Sequence, residues 1–273
     1  MLETTERKYA RLEAILREMG TVLVAFSAGV DSTLVLKVAH DVLGDRALGV
    51  TGDSASLAPE EFQEARDLVA RIGARHLVLR TEELNDPNYA ANPTNRCYFC
   101  KSELYTKLRR VADDGGIAWI VDGSNADDVG DWRPGMQAAR ERGVRSPLQE
   151  AGLTKAEVRE ISAHLGLPTA DKPAAACLSS RIPYGMEVTV AKLRQIGAAE
   201  SALRRLGYRG FRVRHHGDVA RLEFREDDLD GVLARRAEVL AAVKDAGFKY
   251  VALDLQGYRM GSLNEVLREA VKS

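Results

Sequence analysis

Three stretches of this chain carry side chains able to do chemistry. The first is Ser27-Ala28-Gly29-Val30-Asp31-Ser32, set between an apolar run and a helical pattern. At a strand-to-helix junction the backbone N–H groups and the helix N-terminus point outward and form an anion site. Ser27 and Ser32 would add hydroxyl donors, and Gly29 would let backbone approach a phosphate closely. Asp31 repels phosphate, so it is expected to cap the helix or to contact Mg²⁺. With no lysine in the usual phosphate-loop place, a P-loop NTPase reading fails, and the glycine spacing does not fit a dinucleotide-binding turn. A tight turn with a Ser/Asp cap is the structural alternative. The second stretch is Cys97-Tyr98-Phe99-Cys100-Lys101, and the third holds Cys177, the remaining one of three cysteines.

Four chemistries suit these cysteines. A C-x-x-C pair alone makes a redox dithiol, although the thioredoxin-like strand that usually precedes it is absent. Three thiolates and a histidine, drawn from His76, His164, His215 or His216, would make a zinc site. Three thiolates alone would hold a [4Fe–4S] cluster with one iron open. The cysteines are otherwise unconnected. Lys101, Lys172 and Arg181 would each favour a thiolate if the fold brings them near.

The elements that must position these groups follow from hydrophobic periodicity. Residues 9–19 read as an amphipathic helix, 21–26 as a strand buried on both faces, 33–42 as a helix, 47–51 as a strand, 59–72 as a helix, and 76–79 and 119–122 as strands. Strands alternating with helices predict right-handed βαβ units and a doubly wound parallel α/β sheet, with ligands beyond the carboxyl ends of the strands. Thr154, with Glu157 three residues on, predicts a capped helix to about residue 165. Residues 167–185 read as a long functional loop. Beyond them 190–206 is expected as helix, 211–216 and 219–225 as strands, 229–246 as helix and 250–255 as strand. The domains are thus expected at 1–185, the nucleotide domain, and 186–273, a small α+β domain for substrate contacts and oligomerisation. Arg212 and Arg214 share one face of their strand, as do Arg221, Glu223 and Arg225 on the next. Such a face clamps a nucleotide phosphate or forms a solvated salt ladder. The pair His215–His216 is expected as polar surface at the hairpin turn.

Composition narrows the function classes. The chain has 273 residues, 39 Lys+Arg against 40 Asp+Glu, and a formal net charge of −1. This balance offers no global attraction to nucleic acid. No apolar run approaches the roughly 20 residues of a membrane span. The charged N-terminus does not read as a signal peptide. Few cysteines in an odd number point to a reducing, cytoplasmic setting.

The segment 27–32 resembles the SGGxDS signature of PP-loop ATP pyrophosphatases, the adenine nucleotide alpha hydrolase-like fold, with Ala28 where that signature has Gly. Thr51-Gly52-Asp53-Ser54 and Asp122-Gly123-Ser124-Asn125-Ala126-Asp127-Asp128 are similar to the segments that line the nucleotide site of that superfamily. Lys172-Pro173-Ala174-Ala175-Ala176-Cys177-Leu178-Ser179-Ser180-Arg181-Ile182-Pro183-Tyr184-Gly185 resembles the signature loop of the LarE family, ATP-dependent sulfur transferases within the superfamily. The likeness runs through NRCYFCK, FRVRHH and LDLQGYRMGSLNE.

The resemblance implies ATP and Mg²⁺ as cofactors, held by Ser27, Gly29, Asp31, Ser32, Thr51, Asp53, Gly123, Ser124 and Asp127. It implies sulfur insertion into pyridinium dicarboxylate mononucleotide, a step toward a nickel-pincer nucleotide, with Cys177 and Asp31 catalytic. Ser180, Arg181, Arg212, Arg214 and Glu223 would face this small-molecule substrate. Sulfur comes either from Cys177, leaving dehydroalanine, or from a sulfide on a [4Fe–4S] cluster held by Cys97, Cys100 and Cys177. The presence of the pair favours the cluster, which a separate protein sulfur donor could recharge. A homo-oligomer is expected, packed through residues 250–259. A tRNA thiolase is the rival enzyme reading, and it would need a basic surface or an RNA-binding module. An ATP-binding sensor is the non-enzyme reading, and it gives no reason for the loop around Cys177.

Overall fold

The computed structural model describes residues 1–129, 134–173, 176–259 and 261–264. Ala174, Ala175, Met260 and Glu265 of the quoted motifs lie outside the described residues. In chain order the elements are α1 (Glu3–Met19), β1 (Val22–Ala25), α2 (Val30–Leu43), β2 (Ala47–Asp53), α3 (Pro59–Ile72), β3 (Arg75–Arg80), α4 (Pro87–Ala90), α5 (Arg96–Asp114), β4 (Trp119–Val121), α6 (Pro134–Glu141), α7 (Pro147–Glu150) and α8 (Lys155–His164). They continue with α9 (Val190–Arg205), β5 (Arg212–His216), β6 (Val219–Glu223), α10 (Leu229–Ala234), α11 (Arg236–Asp245) and β7 (Tyr250–Leu253). The chain forms two compact units, one of residues 1–54, 61–86 and 95–175, the other of 55–60, 87–94 and 176–273.

In the first unit four parallel strands stand in the order β3-β2-β1-β4. Strand β1 shows why its sequence is apolar throughout. Val22 and Val24 pack with Leu12, Leu16, Leu34, Val38, Val158 and Ile161 on one face. Leu23 packs with Tyr105, Leu108, Ala112 and Ile120 on the other. Alternate residues thus enter two cores, and a strand covered on both faces cannot alternate with polar positions. Helices α1, α2, α3 and α8 supply the first core, and α5 and α6 the second. All four strands end on the same side, so the segments after β1, β2 and β4 gather there. The sheet is the doubly wound α/β arrangement read from the sequence. The Thr154–Glu157 capping box opens α8 as expected.

In the second unit β5 and β6 form an antiparallel hairpin, and β7 joins β6 in parallel. Behind them α9 and α11 bury Leu193, Ile196, Leu203, Val239 and Val243 with Tyr208, Phe211, Phe224 and Phe248. The helix expected over 229–246 is broken at Arg235, whose backbone leaves helical angles at φ −103°, ψ 26°. There the side chain donates to the Leu206 carbonyl (2.9 Å) and pairs with Glu238 (2.7 Å), tying the break to a neighbouring segment. His215 also departs from the surface role expected for it. It is 4% exposed and meets Gln195 Oε1 at 3.1 Å, because its strand position faces α9. No helix among the described residues is long and apolar enough to cross a membrane.

Candidate active site

The loop after β1 is a tight, hydrogen-bonded turn. Phe26 N–H donates to the Val50 carbonyl (2.9 Å), which fixes the strand end. Thr51 Oγ1 donates to the Phe26 carbonyl (3.0 Å) and meets His76 Nε2 at 3.0 Å. Burial, with Arg66 adding to it, lowers the His76 pKa from its ordinary value. Ser32 Oγ accepts from Ser27 N–H (3.2 Å), donates to the Gly29 carbonyl (3.3 Å) and lies 3.1 Å from Ser27 Oγ. Ser32 is buried and shapes the turn, while Ser27 is exposed. Gly29 is the N-cap of α2, and no side chain of the cap position satisfies the first-turn N–H groups of this helix. Ala28 stands at φ +57° in the left-handed region, the conformation a glycine would take without strain.

The segment after β4 closes on this turn. A Cβ at Gly123 would come 2.7 Å from Ser32 N and 3.1 Å from the Asp31 carbonyl carbon, so only glycine allows the approach. Asp122 organises its neighbours, accepting from Ser124 N–H (3.0 Å), Ser124 Oγ (3.0 Å), Ser146 Oγ (2.7 Å) and Tyr105 OH (3.3 Å). Burial first, and then the Asp122 carboxylate, push the Tyr105 phenol up to about 12. Asn125 Nδ2 donates to Asp31 Oδ1 (3.1 Å), and Lys155 Nζ pairs with Asp31 Oδ2. Asp127 accepts from Lys155 N–H (2.8 Å), which places it at the start of α8. Asp31 is therefore no N-cap: it stands in the first turn of α2 with an amide and an ammonium on its carboxylate. Asp53 is exposed at the end of β2, where its carbonyl accepts from Thr81 N–H (2.9 Å).

Two lysines that sequence reading did not assign to this site meet it. Lys155 comes from α8, 124 positions from Asp31, and only folding brings them together. Lys172 donates to the Ala28 carbonyl (3.0 Å) and pairs with Glu64 (2.8 Å). The signal for Lys155 was its place just after the capping threonine, which predicts a lysine at the open end of a helix and no more.

Cys97 and Cys100 lie in the first turns of α5, Cys97 exposed and Cys100 partly so, and neither is in a disulfide. Spaced three apart they share a helix face. Lys101 sits 5.7 Å from the Tyr105 ring centroid. Its ammonium is held above the usual range chiefly by Tyr105, with Cys100, Asp122 and Cys97 adding to it against the cost of burial.

The second unit holds Cys177, exposed at the start of the short 3₁₀ turn Leu178–Arg181. Leu178 N–H donates to the Ser56 carbonyl (2.8 Å) and Ser180 N–H to that of Cys177 (2.9 Å). Ser179 Oγ meets Tyr89 OH at 2.6 Å, and Asn92 Nδ2 donates to the carbonyls of Ile182, Pro183 and Met186. Arg181, expected to face the substrate, is turned inward instead. It is 2% exposed and binds both oxygens of Glu200 (2.9 and 3.1 Å). The cause is its position on a turn whose side chains point into the unit beside α9.

Arg214 and Glu223, also expected at the substrate, pair with each other at 2.8 Å. Arg214 further donates to the Ser180 carbonyl and to Ser262 Oγ, both at 2.8 Å, while Arg221 meets Glu223 and Asp254, both at 2.9 Å. The strand face is thus largely a salt ladder. Arg212 differs, since its guanidinium stacks 4.9 Å from the Tyr258 centroid and has no carboxylate within ion-pair distance among the described residues. Burial, followed by the repulsion of Arg181, lowers its pKa from the usual guanidinium value. Among the described residues no three His, Cys, Asp or Glu side chains stand together as a metal-holding group, so the iron–sulfur expectation gains no support from geometry.

No family model matches the chain. An uncharacterized protein of Synechocystis sp. is 50% identical over 264 residues, which is 96% of this chain and 98% of the relative. The pyridinium-3,5-bisthiocarboxylic acid mononucleotide synthase of Lactiplantibacillus plantarum is 40% identical over 270 residues, 98% of each chain. The tRNA-specific 2-thiouridylase MnmA of Azorhizobium caulinodans is 30% identical over 191 residues, covering 56% of this chain and 48% of its own. The match to the thiouridylase covers about half of each chain, whereas the match to the synthase spans 98% of both. On that identity, the chain belongs to the LarE family of PP-loop enzymes, the ATP-dependent sulfur transferases.

Proposed function

We propose that this enzyme converts the carboxylates of pyridinium-3,5-dicarboxylate mononucleotide to thiocarboxylates, as a step toward a nickel-pincer nucleotide. The observation that carries this reading is the end-to-end identity with an enzyme named for that product. A carboxylate is a poor electrophile because its oxygen leaves badly. Its attack on the α-phosphorus of ATP releases pyrophosphate and gives an acyl adenylate, whose leaving group is AMP. The open N–H groups at the start of α2, with Ser27, cradle the phosphates, and the Asp31 carboxylate is the oxygen donor for a Mg²⁺ carried by ATP. Lys155, paired with Asp31, supplies the cation that this loop lacks. Arg212 takes the phosphate of the mononucleotide substrate.

Sulfur then attacks the carbonyl carbon and AMP leaves with the original oxygen. Cys177, exposed on an anchored turn, is the residue through which sulfur arrives. Its three-cysteine set has the donor chemistry of a [4Fe–4S] cluster, so Cys97, Cys100 and Cys177 are proposed to hold one, whose open iron would supply sulfide. Anaerobic purification with iron and sulfide analysis, and intact mass before and after turnover, tests this. About four irons per chain and an unchanged mass are expected. An iron-free chain that loses the mass of H₂S at position 177 would replace the cluster by sacrifice of Cys177, in which its Cβ–S bond breaks and dehydroalanine remains. Transfer that survives Cys177→Ala would overturn both routes.

A further inference from the structure

An exposed cysteine on a loop has no inherent reason to hold its thiol in one place, and loop backbone is the least constrained part of a fold. Around Cys177 one buried side chain binds the backbone on both sides of the cysteine Cα. Arg181 Nη1 donates to the Ala176 carbonyl (2.5 Å), the Cys177 carbonyl (3.1 Å) and Ser180 Oγ (2.9 Å). Its remaining donors, Nε and Nη2, bind Glu200 in a fork. Glu200 is fully buried on α9, and its two oxygens also accept from Val213 N–H (3.2 Å) and Arg204 Nη2 (3.1 Å). The carboxylate thus joins helix α9, strand β5 and the turn bearing the cysteine. The same helix packs close to that turn: a Cβ at Gly197 would lie 3.4 Å from Leu178 Cδ1.

Stability alone is a weak reason for this arrangement. Two buried charges lose hydration that their attraction seldom exceeds by much, and an apolar pair of similar volume is often as stable. What an apolar pair cannot do is bind the carbonyls of the two peptide groups that flank the cysteine. A planar guanidinium held in two places by a carboxylate presents its last nitrogen at a set position and angle. The carbonyls of Ala176 and Cys177 converge on that nitrogen, which orients the two peptide planes that flank the Cys177 Cα and with them its Cα–Cβ bond.

We infer that Glu200, acting through Arg181, is a positioning residue that fixes where the Cys177 sulfur stands during sulfur transfer, as cluster ligand or as donor. This role rests on the sulfur-transfer reading above and adds to it a part for two residues that need not touch the substrate. It makes Arg181 a clamp on the loop, distinct from the substrate contact expected of it from sequence.

The test separates adenylation from sulfur transfer in the full chain. Adenylation is followed by exchange of labelled pyrophosphate into ATP with the pyridinium substrate present, and transfer by thiocarboxylate formed. Glu200→Gln is expected to leave exchange within about twofold while transfer falls on the order of 100-fold, the cost of a misplaced reacting atom. Arg181→Lys keeps the charge but not the fork, and is expected to behave like Glu200→Gln. Because Glu200→Gln strands a buried guanidinium, the double variant Arg181→Met, Glu200→Met removes both charges and is expected to unfold near the wild-type temperature while transfer stays lost. A folded double variant with wild-type transfer overturns the inference, as does a Glu200→Gln that loses exchange and transfer in equal measure. If the wild-type chain itself forms no thiocarboxylate, the sulfur-transfer reading falls and this inference falls with it.

Discussion

Arg212 and Arg214 stand two residues apart on β5, yet only Arg212 lacks a carboxylate partner among the described residues. Arg212→Ala is expected to raise the KM for the mononucleotide by about 10- to 100-fold, the worth of a hydrogen bond to a charged group, and to leave the urea midpoint nearly unchanged. Arg214→Ala takes from the fully buried Glu223 its buried cation and leaves it the partly exposed Arg221 and the Ser262 hydroxyl. It is expected to lower stability by about 3 kcal/mol, read from urea unfolding. A loss of substrate binding in Arg214→Ala without loss of stability would contradict this division. Ala28 poses a different residue-scale question, since a left-handed alanine costs about 1–2 kcal/mol. Its methyl is wholly buried, which returns about 0.8 kcal/mol, and glycine would add unfolded-state entropy worth about 0.4–1 kcal/mol. These terms nearly cancel, so Ala28→Gly should change the unfolding free energy by less than about 1 kcal/mol.

At the scale of elements, the start of α2 works only because the segment after β4 can lie against it. Gly123→Ala drives a methyl into the Ser32 amide and the Asp31 backbone, at 2.7 and 3.1 Å. Nucleotide affinity, measured by titration calorimetry, is expected to fall at least about tenfold, since the anion-binding amides must shift. Asp31→Ala should abolish AMP formation while leaving the circular dichroism spectrum intact; normal ATP cleavage would remove the residue from the phosphate site. The junction of α9 with β5 carries a pH signature. Burial alone would raise the Glu200 pKa, but Arg181 first, then the Val213 amide and Arg204, hold it below the usual carboxylate range. A depressed folded pKa contributes stability above the unfolded value of about 4.3, lost as pH falls through the folded one. The urea midpoint should therefore decline on acidification below about pH 4, and that decline should be smaller in the Arg181→Met, Glu200→Met variant.

For the whole molecule, 39 basic and 40 acidic residues leave no surplus charge to draw in a polyanion. The full chain is expected to show no tRNA shift in a native gel at moderate salt; a tight, salt-sensitive complex would favour thiolation of tRNA. The two compact units divide the chemistry by residue. Asp31, Gly123 and Lys155 belong to the first, and Cys177, Arg181 and Arg212 to the second. Their half-reactions are expected to separate by mutation, with Asp31→Ala losing pyrophosphate exchange and Cys177→Ala keeping it.

What the amino-acid order determined by itself was everything encoded over short distances. The apolar run Val22–Ala25 had to be a strand between two helical layers, the turn 27–32 had to open α2, and Thr154 with Glu157 had to cap α8. Such features depend on neighbours within a few residues, so periodicity and capping rules reach them. The family was legible for the same reason, because its motifs are contiguous. Tertiary structure alone decided which charges meet. Lys155 reaches Asp31 across 124 positions, and Arg181 turns from a substrate to Glu200. Segments 55–60 and 87–94 join a unit built mostly from residues far beyond them. Two arginines of like spacing on β5 divide into one bound to Glu223 and one stacked on Tyr258. A charged residue carries no mark of its partner in the local sequence. Burial and the register of β5 against β6 make that choice, and both exist only once the chain has folded.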